Sequence, residues 1–128
     1  MRFLASSVFA LLTLFAAFSP QAAEVPFNKV AFDSAVKAGG PVAVVFHADW
    51  CPTCRAQAPV LKQLVLEPKY KALTLFVADF DEETQLKREL RVNKQSTIVV
   101  FKNGVEINRS TGDTQPDRLD AVLAGTGH

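Results

Sequence analysis

The sequence predicts an α/β fold in which one central mixed β-sheet is flanked by helices on both faces. Two apolar, β-branched runs, "VAVVFH" and "ALTLFVADF", have strand length and no turn residue inside them, as strands covered on both faces do. Stretches with helical spacing alternate with these runs. Late in the chain Asn103-Gly104 sits between two further strand patterns, a strong hairpin signal. The 128 residues, 48% of them hydrophobic, suit one domain with an ordinary core and show neither repeats nor a linker.

Taken in order, Arg2 is followed by an uncharged apolar run from Phe3 to Phe18. That is the length of a signal-peptide core and falls short of the roughly 18 or more residues of a spanning helix. Ala22 and Ala23 supply small residues for cleavage, so residues 1–23 read as a signal peptide and 24–128 as a soluble periplasmic domain. No cysteine lies near this point to take a lipid. Charges are nearly balanced, 14 Lys and Arg against 13 Asp and Glu, which offers no steering field and no sign of a nucleic-acid partner.

Asn28 is a plausible N-cap for a helix carrying Phe27, Val30, Ala31 and Ala35 at helical spacing, stopped by Gly39-Gly40. "VAVVFH" then delivers the chain to "ADWCPTC". The next helix has Pro52 in its first turn, Pro59 bending its interior, and Ala58, Leu61, Leu64 and Val65 on one side. After "ALTLFVADF" comes a polar helix, "DEETQLKREL", with Glu83 and Lys87 four apart, and then the hairpin. A last helix runs from about Pro116 to Leu123. Asn108 begins an Asn-Arg-Ser acceptor pattern that falls inside a strand and carries little weight.

Cys51 and Cys54, the only cysteines, sit where a strand ends and a helix begins. Orphan N–H groups at a helix start stabilise negative charge, so Cys51 is expected to have a thiol pKa below the free value of about 8.5. Cys54, one turn further in, is expected to be more buried and less acidic, which makes Cys51 the attacking and Cys54 the resolving thiol. Trp50 offers an apolar shoulder for a peptide. In an oxidising compartment the pair is expected to close into a disulfide. A purely structural staple fits poorly, because so short a loop stabilises little. A shared zinc site, or delivery of a soft ion such as Cu(I), stays open as a second class of function. It would use Cys51, Cys54 and His47, with His128 as an awkward fourth ligand.

These residues resemble the thioredoxin family across essentially the whole of 24–128. "ADWCPTC" is similar to its active-site segment, Pro59 to its helix-kinking proline, "FKNG" to its hairpin, and Gly112 to a glycine after its last strand. The resemblance implies a thioredoxin fold and a protein-disulfide oxidoreductase. Its partners would be periplasmic protein thiols and disulfides and a membrane redox partner. It would act as a monomer, with no cofactor beyond the Cys51–Cys54 disulfide and no resident metal.

Three departures stand out. Ser96 occupies the place of the family's cis-proline; a cis bond before a non-proline costs about 3–4 kcal/mol, so Gln95–Ser96 is expected to be trans. The change reads equally as loop drift or as an altered substrate groove or room for a ligand, a metal or a second thiol, on Cys51, with the Ser96 hydroxyl able to donate to a Cys51 thiolate. Val45 stands where many relatives carry a buried acid, leaving Asp49 or His47 as alternative proton acceptors, although a strand-end histidine is ordinary. Pro52-Thr53 between the cysteines differs from the Gly-Pro of general thioredoxins and points to a less reducing couple.

Overall fold

The computed structural model describes residues 23–126. The expected signal segment, up to Ala22, and His128 lie outside the described residues. Five strands form one sheet in the order β1-β3-β2-β4-β5, with β1 (Ala23–Pro26), β2 (Val42–His47), β3 (Thr74–Asp79), β4 (Thr97–Lys102) and β5 (Val105–Thr111). β3 runs parallel to β1 and β2, while β2–β4 and β4–β5 are antiparallel.

Side chains alternate across the sheet and build two cores. Ala43, Val45, Leu75, Ile98 and Val100 face α2 (Pro52–Leu64) and α4 (Pro116–Leu123), packing on Leu61, Leu64, Leu119 and Leu123. Val44, Phe46, Phe76, Ala78 and Val99 face the other way, onto Phe32 of α1 (Lys29–Lys37) and Leu86 of α3 (Thr84–Leu90). β2 lies between β3 and β4 with Val42–Phe46 buried, so its sequence shows no polar alternation.

The local signals act as their chemistry dictates. Asn28 caps α1 by accepting from the Ala31 N–H at 2.9 Å. Asn103 and Gly104 both have positive φ, 54° and 80°, the pair a tight hairpin turn requires. The Asn103 N–H also donates to the Gly39 carbonyl at 2.9 Å, fixing the hairpin to the end of α1. Asn108 lies in β5 and donates to the Val122 carbonyl at 3.3 Å.

Three expectations need correction. The sequence pattern omits β1, because a four-residue edge strand ending in proline shows no periodicity of its own. The buried anchor of α1 is Phe32, whereas Val30 is 75% exposed, so the apolar face is rotated from that read by spacing. Glu83 stands at the N-cap of α3 instead of one turn inside it, and Lys87 sets its ammonium 4.0 Å from the centroid of the Phe80 ring.

A buried tyrosine ties α4 to the turn after α2. The Tyr70 hydroxyl donates to an Asp120 carboxylate oxygen at 2.6 Å, and Lys69 pairs with the same carboxylate at 2.7 Å. Both contacts, Lys69 first, hold the Asp120 carboxyl below its ordinary range. A depressed folded-state pKa contributes stability above the unfolded value that is lost as pH falls through the folded value. Asp120→Asn is therefore expected to melt lower than the wild type at neutral pH, with the gap closing in acid. Tyr70→Phe is expected to cost about 1 kcal/mol at neutral pH. Thermal melts across pH check both; a gap that widens on acidification contradicts the assignment.

Candidate active site

β2 ends at His47, and the chain turns through Ala48–Trp50 into α2, so the buried strand fixes where the helix begins. Cys51 is the N-cap of α2, and its sulfur accepts the Cys54 N–H at 3.3 Å. Pro52 follows at the first helical position, where no N–H is needed. Both cysteines are free thiols here. Cys51 is 7% exposed and Cys54 1%, so the outer sulfur opens only narrowly to the surface. Pro52 and Thr53 are exposed.

The acidities of the two thiols are shifted in opposite directions. The neighbouring Cys54 thiol lowers the Cys51 pKa most; the backbone N–H of Cys54, the Ser96 hydroxyl and the Thr53 backbone act the same way, against burial. Burial raises Cys54, and its bond to Cys51 raises it further. The helix-start N–H groups thus contribute to Cys51 as expected from sequence, but the partner thiol is the larger cause.

Ser96 closes the site from the other side. The structure contains no cis peptide among its described residues, so Gln95–Ser96 is trans, and Ser96 has φ 58°. A left-handed conformation costs a non-glycine residue about 1–2 kcal/mol. It is held by three bonds: the Ser96 N–H donates to the Phe46 carbonyl at 2.8 Å, and the Ser96 carbonyl accepts from Gly112 N–H at 3.1 Å and from Gln57 Nε2 at 3.2 Å. The hydroxyl then lies 3.0 Å from Cys54 Sγ and 3.6 Å from Cys51 Sγ. The expected contact with Cys51 is present, and that with Cys54 is the shorter of the two. Gln95 is half-buried in the turn just before it.

Other expected site residues are more peripheral. Trp50 is 58% exposed, and its indole N–H donates to Asp81 Oδ2 at 2.7 Å. His47 Nε2 contacts Asp49 Oδ1 at 2.9 Å, so these two side chains engage one another. Beside the sulfurs pack Ala48 and Phe80. Val45 is buried and pairs across the ladder with Val77. Together with His47, Gln57 and Leu61 they line a cavity of about 110 Å³ beneath α2. Among the described residues no group of three or more His, Cys, Asp or Glu side chains stands together as a metal site.

Two residues escaped the sequence reading. Gln57 is 1% exposed on the buried stripe of α2 formed by Cys54, Leu61 and Leu64, and a polar residue on an apolar stripe is a readable signal. Asp81 has none, because it stands in an acidic run whose other members are solvated.

A dithiol at a strand-to-helix junction, facing a turn that precedes an antiparallel hairpin, defines an α/β protein of thioredoxin fold. Residues 23–125 match the sequence model of the Thioredoxin family, and the chain belongs to that family. The mitochondrial thioredoxin of Mus musculus is 34% identical over 91 residues, 71% of this chain and 54% of that protein. The chain thus spans about half the length of that relative and of its Rattus norvegicus and Bos taurus counterparts. The thioredoxin of Chlamydia muridarum (strain MoPn / Nigg) is 35% identical over 87 residues, 68% of this chain and 83% of that one. Trxlp from Edwardsiella tarda EIB202 superposes with a TM-score of 0.77 at 37% identity, covering 79% of this chain and 98% of that one.

The opposed shifts give a direct test. Alkylation of the reduced protein by iodoacetamide at neutral pH is expected to modify Cys51 first, at a rate that levels off at lower pH than for a free thiol. Cys54 is expected to react at least about ten-fold more slowly, being less ionised and deeper. Mass mapping of the labelled peptides decides it; preferential labelling of Cys54 contradicts the geometry.

Proposed function

We propose that this chain is a periplasmic thiol–disulfide oxidoreductase that exchanges disulfides with protein substrates through Cys51 and Cys54. The observation that carries this reading is the asymmetric pair: a thiol of lowered pKa at the N-cap of α2 backed by a buried thiol of raised pKa one turn inside. Membership of the thioredoxin family supports the same chemistry. In this mechanism the Cys51 thiolate attacks a substrate disulfide and Cys54 resolves the mixed disulfide from below.

Protein substrates are supported by the exposed Trp50 ring beside Cys51, an apolar platform of the kind that holds an extended peptide. The periplasmic reading rests on the Arg2-led apolar run Phe3–Phe18 and on Ala22 and Ala23 as a cleavage site. A cut after Ala23 would remove only the first of four pairings between β1 and β3. The protein would act as a monomer, recharged by a membrane redox partner.

Trapping separates the two thiols. Cys54→Ser is expected to accumulate mixed disulfides with periplasmic proteins through Cys51, while Cys51→Ser accumulates few; both should lose at least about a hundred-fold of insulin reductase activity. Mass spectrometry of non-reduced adducts checks the roles, and adducts concentrated on Cys54 contradict them. N-terminal sequencing of the periplasmic fraction is expected to begin at Glu24. An intact Met1 in the membrane fraction counts against a released periplasmic enzyme.

A further inference from the structure

We propose that the Ser96 hydroxyl is a catalytic hydrogen-bond group shared by the two sulfurs, donating to whichever of Cys51 and Cys54 carries the negative charge, with Gln57 as its positioning residue. The inference deepens the oxidoreductase reading and rests on it. It starts from one placement: Ser96 Oγ lies 3.0 Å from Cys54 Sγ and 3.6 Å from Cys51 Sγ, in a residue only 2% exposed. A hydroxyl both donates and accepts, so it suits a pair whose charge moves from one sulfur to the other.

The need for such a group is set by the sheet. On the face beneath α2, Val45 and Val77 pair as apolar neighbours, and the cavity they line carries Glu24 and His47 as its titratable residues, neither of which has a hydrogen bond to Cys54, whereas Ser96 does. His47, on the same strand, is engaged with Asp49. Burial alone would hold Cys54 protonated, and the Ser96 hydroxyl opposes that effect.

In the starting dithiol the Cys54 S–H donates to Ser96 Oγ while the Ser96 O–H donates to the Cys51 thiolate. That thiolate attacks one sulfur of the substrate disulfide; a Cys51–substrate bond forms, the substrate S–S bond breaks, and the expelled thiolate takes up the Cys54 proton. The Ser96 O–H now turns to the Cys54 thiolate. Cys54 attacks Cys51 Sγ, the Cys51–Cys54 bond closes, and the second substrate thiolate leaves and is protonated by water. Two electrons pass from the pair to the substrate.

Gln57 holds the hydroxyl in place. Its Nε2 donates to the Ser96 carbonyl at 3.2 Å and to the Asp113 carbonyl at 2.8 Å, tying the left-handed turn to the loop after β5. At φ 58°, secured by these bonds, Ser96 holds its Oγ within reach of both sulfurs.

Ser96→Gly is the informative change, because glycine adopts this φ without strain and lacks the hydroxymethyl side chain. Ultraviolet thiolate absorbance of the full chain, titrated without substrate, is expected to show the Cys51 midpoint rising by about one unit. Resolution of the preformed glutathione mixed disulfide on Cys51 is expected to slow about ten-fold at neutral pH. Ser96→Ala, which removes the hydroxyl alone, is expected to move both readings the same way. Gln57→Leu should shift both readings in the same direction by less, and the double variant should shift them no further than Ser96→Gly alone. An unchanged midpoint and resolution rate in Ser96→Gly, or additive effects in the double variant, overturn the inference. The titration needs no protein substrate, so it decides this point separately from whether the wild type exchanges disulfides with proteins.

Discussion

The site depends on one constraint: a central strand buried on both faces must hand the chain to a helix at its carboxyl end, and the residue at that handover is Cys51. Val42–Phe46 have no freedom to shift register, because a slip of one residue would exchange the two cores. Position in the sheet therefore fixes position on the helix. The N-cap sulfur receives the Cys54 N–H, and the residue supplying that N–H also supplies the second sulfur. One helical turn thus creates both the acidity of Cys51 and the burial of Cys54.

Much of this was legible in the sequence because it follows from local chemistry. The apolar runs gave β2 and β3, Asn103-Gly104 gave the turn between β4 and β5, Asn28 gave the start of α1, and the thiol spacing gave the pair. What was not legible depends on contacts distant in sequence. β1 exists because β3 offers it an edge, and Lys87 turns to Phe80 because the ring lies within reach. Gln57 gains its meaning from Ser96, 39 positions away. The sequence places His47 and Asp49 as proton acceptors near the pair; in space they bind each other, and the hydroxyl of Ser96 lies 3.0 Å from the inner sulfur.

The burial of Cys54 and Ser96 gives that hydroxyl its weight. In a low-dielectric setting a hydrogen bond to a charged sulfur is stronger than in water, and an unpaired charge is correspondingly more costly. A carboxylate at the position of Val45 would pair with a proton through its own titration. A hydroxyl does not titrate near neutrality, so it follows the charge without adding one of its own.

The backbone at position 96 suits serine and excludes proline. The Ser96 N–H donates to the carbonyl of Phe46, a fully buried residue, just past the Val45–Ile98 end of the β2–β4 ladder and one residue out of its register. Proline has no N–H to give, and loss of that donor from a buried carbonyl costs about 1–3 kcal/mol. Its ring also fixes φ near −65°, against the 58° found here. Serine, the trans bond, the left-handed turn, Gln57 and the Gly112 contact therefore form one consistent arrangement. A proline at position 96 would require the turn, and with it the neighbours of both sulfurs, to be rebuilt.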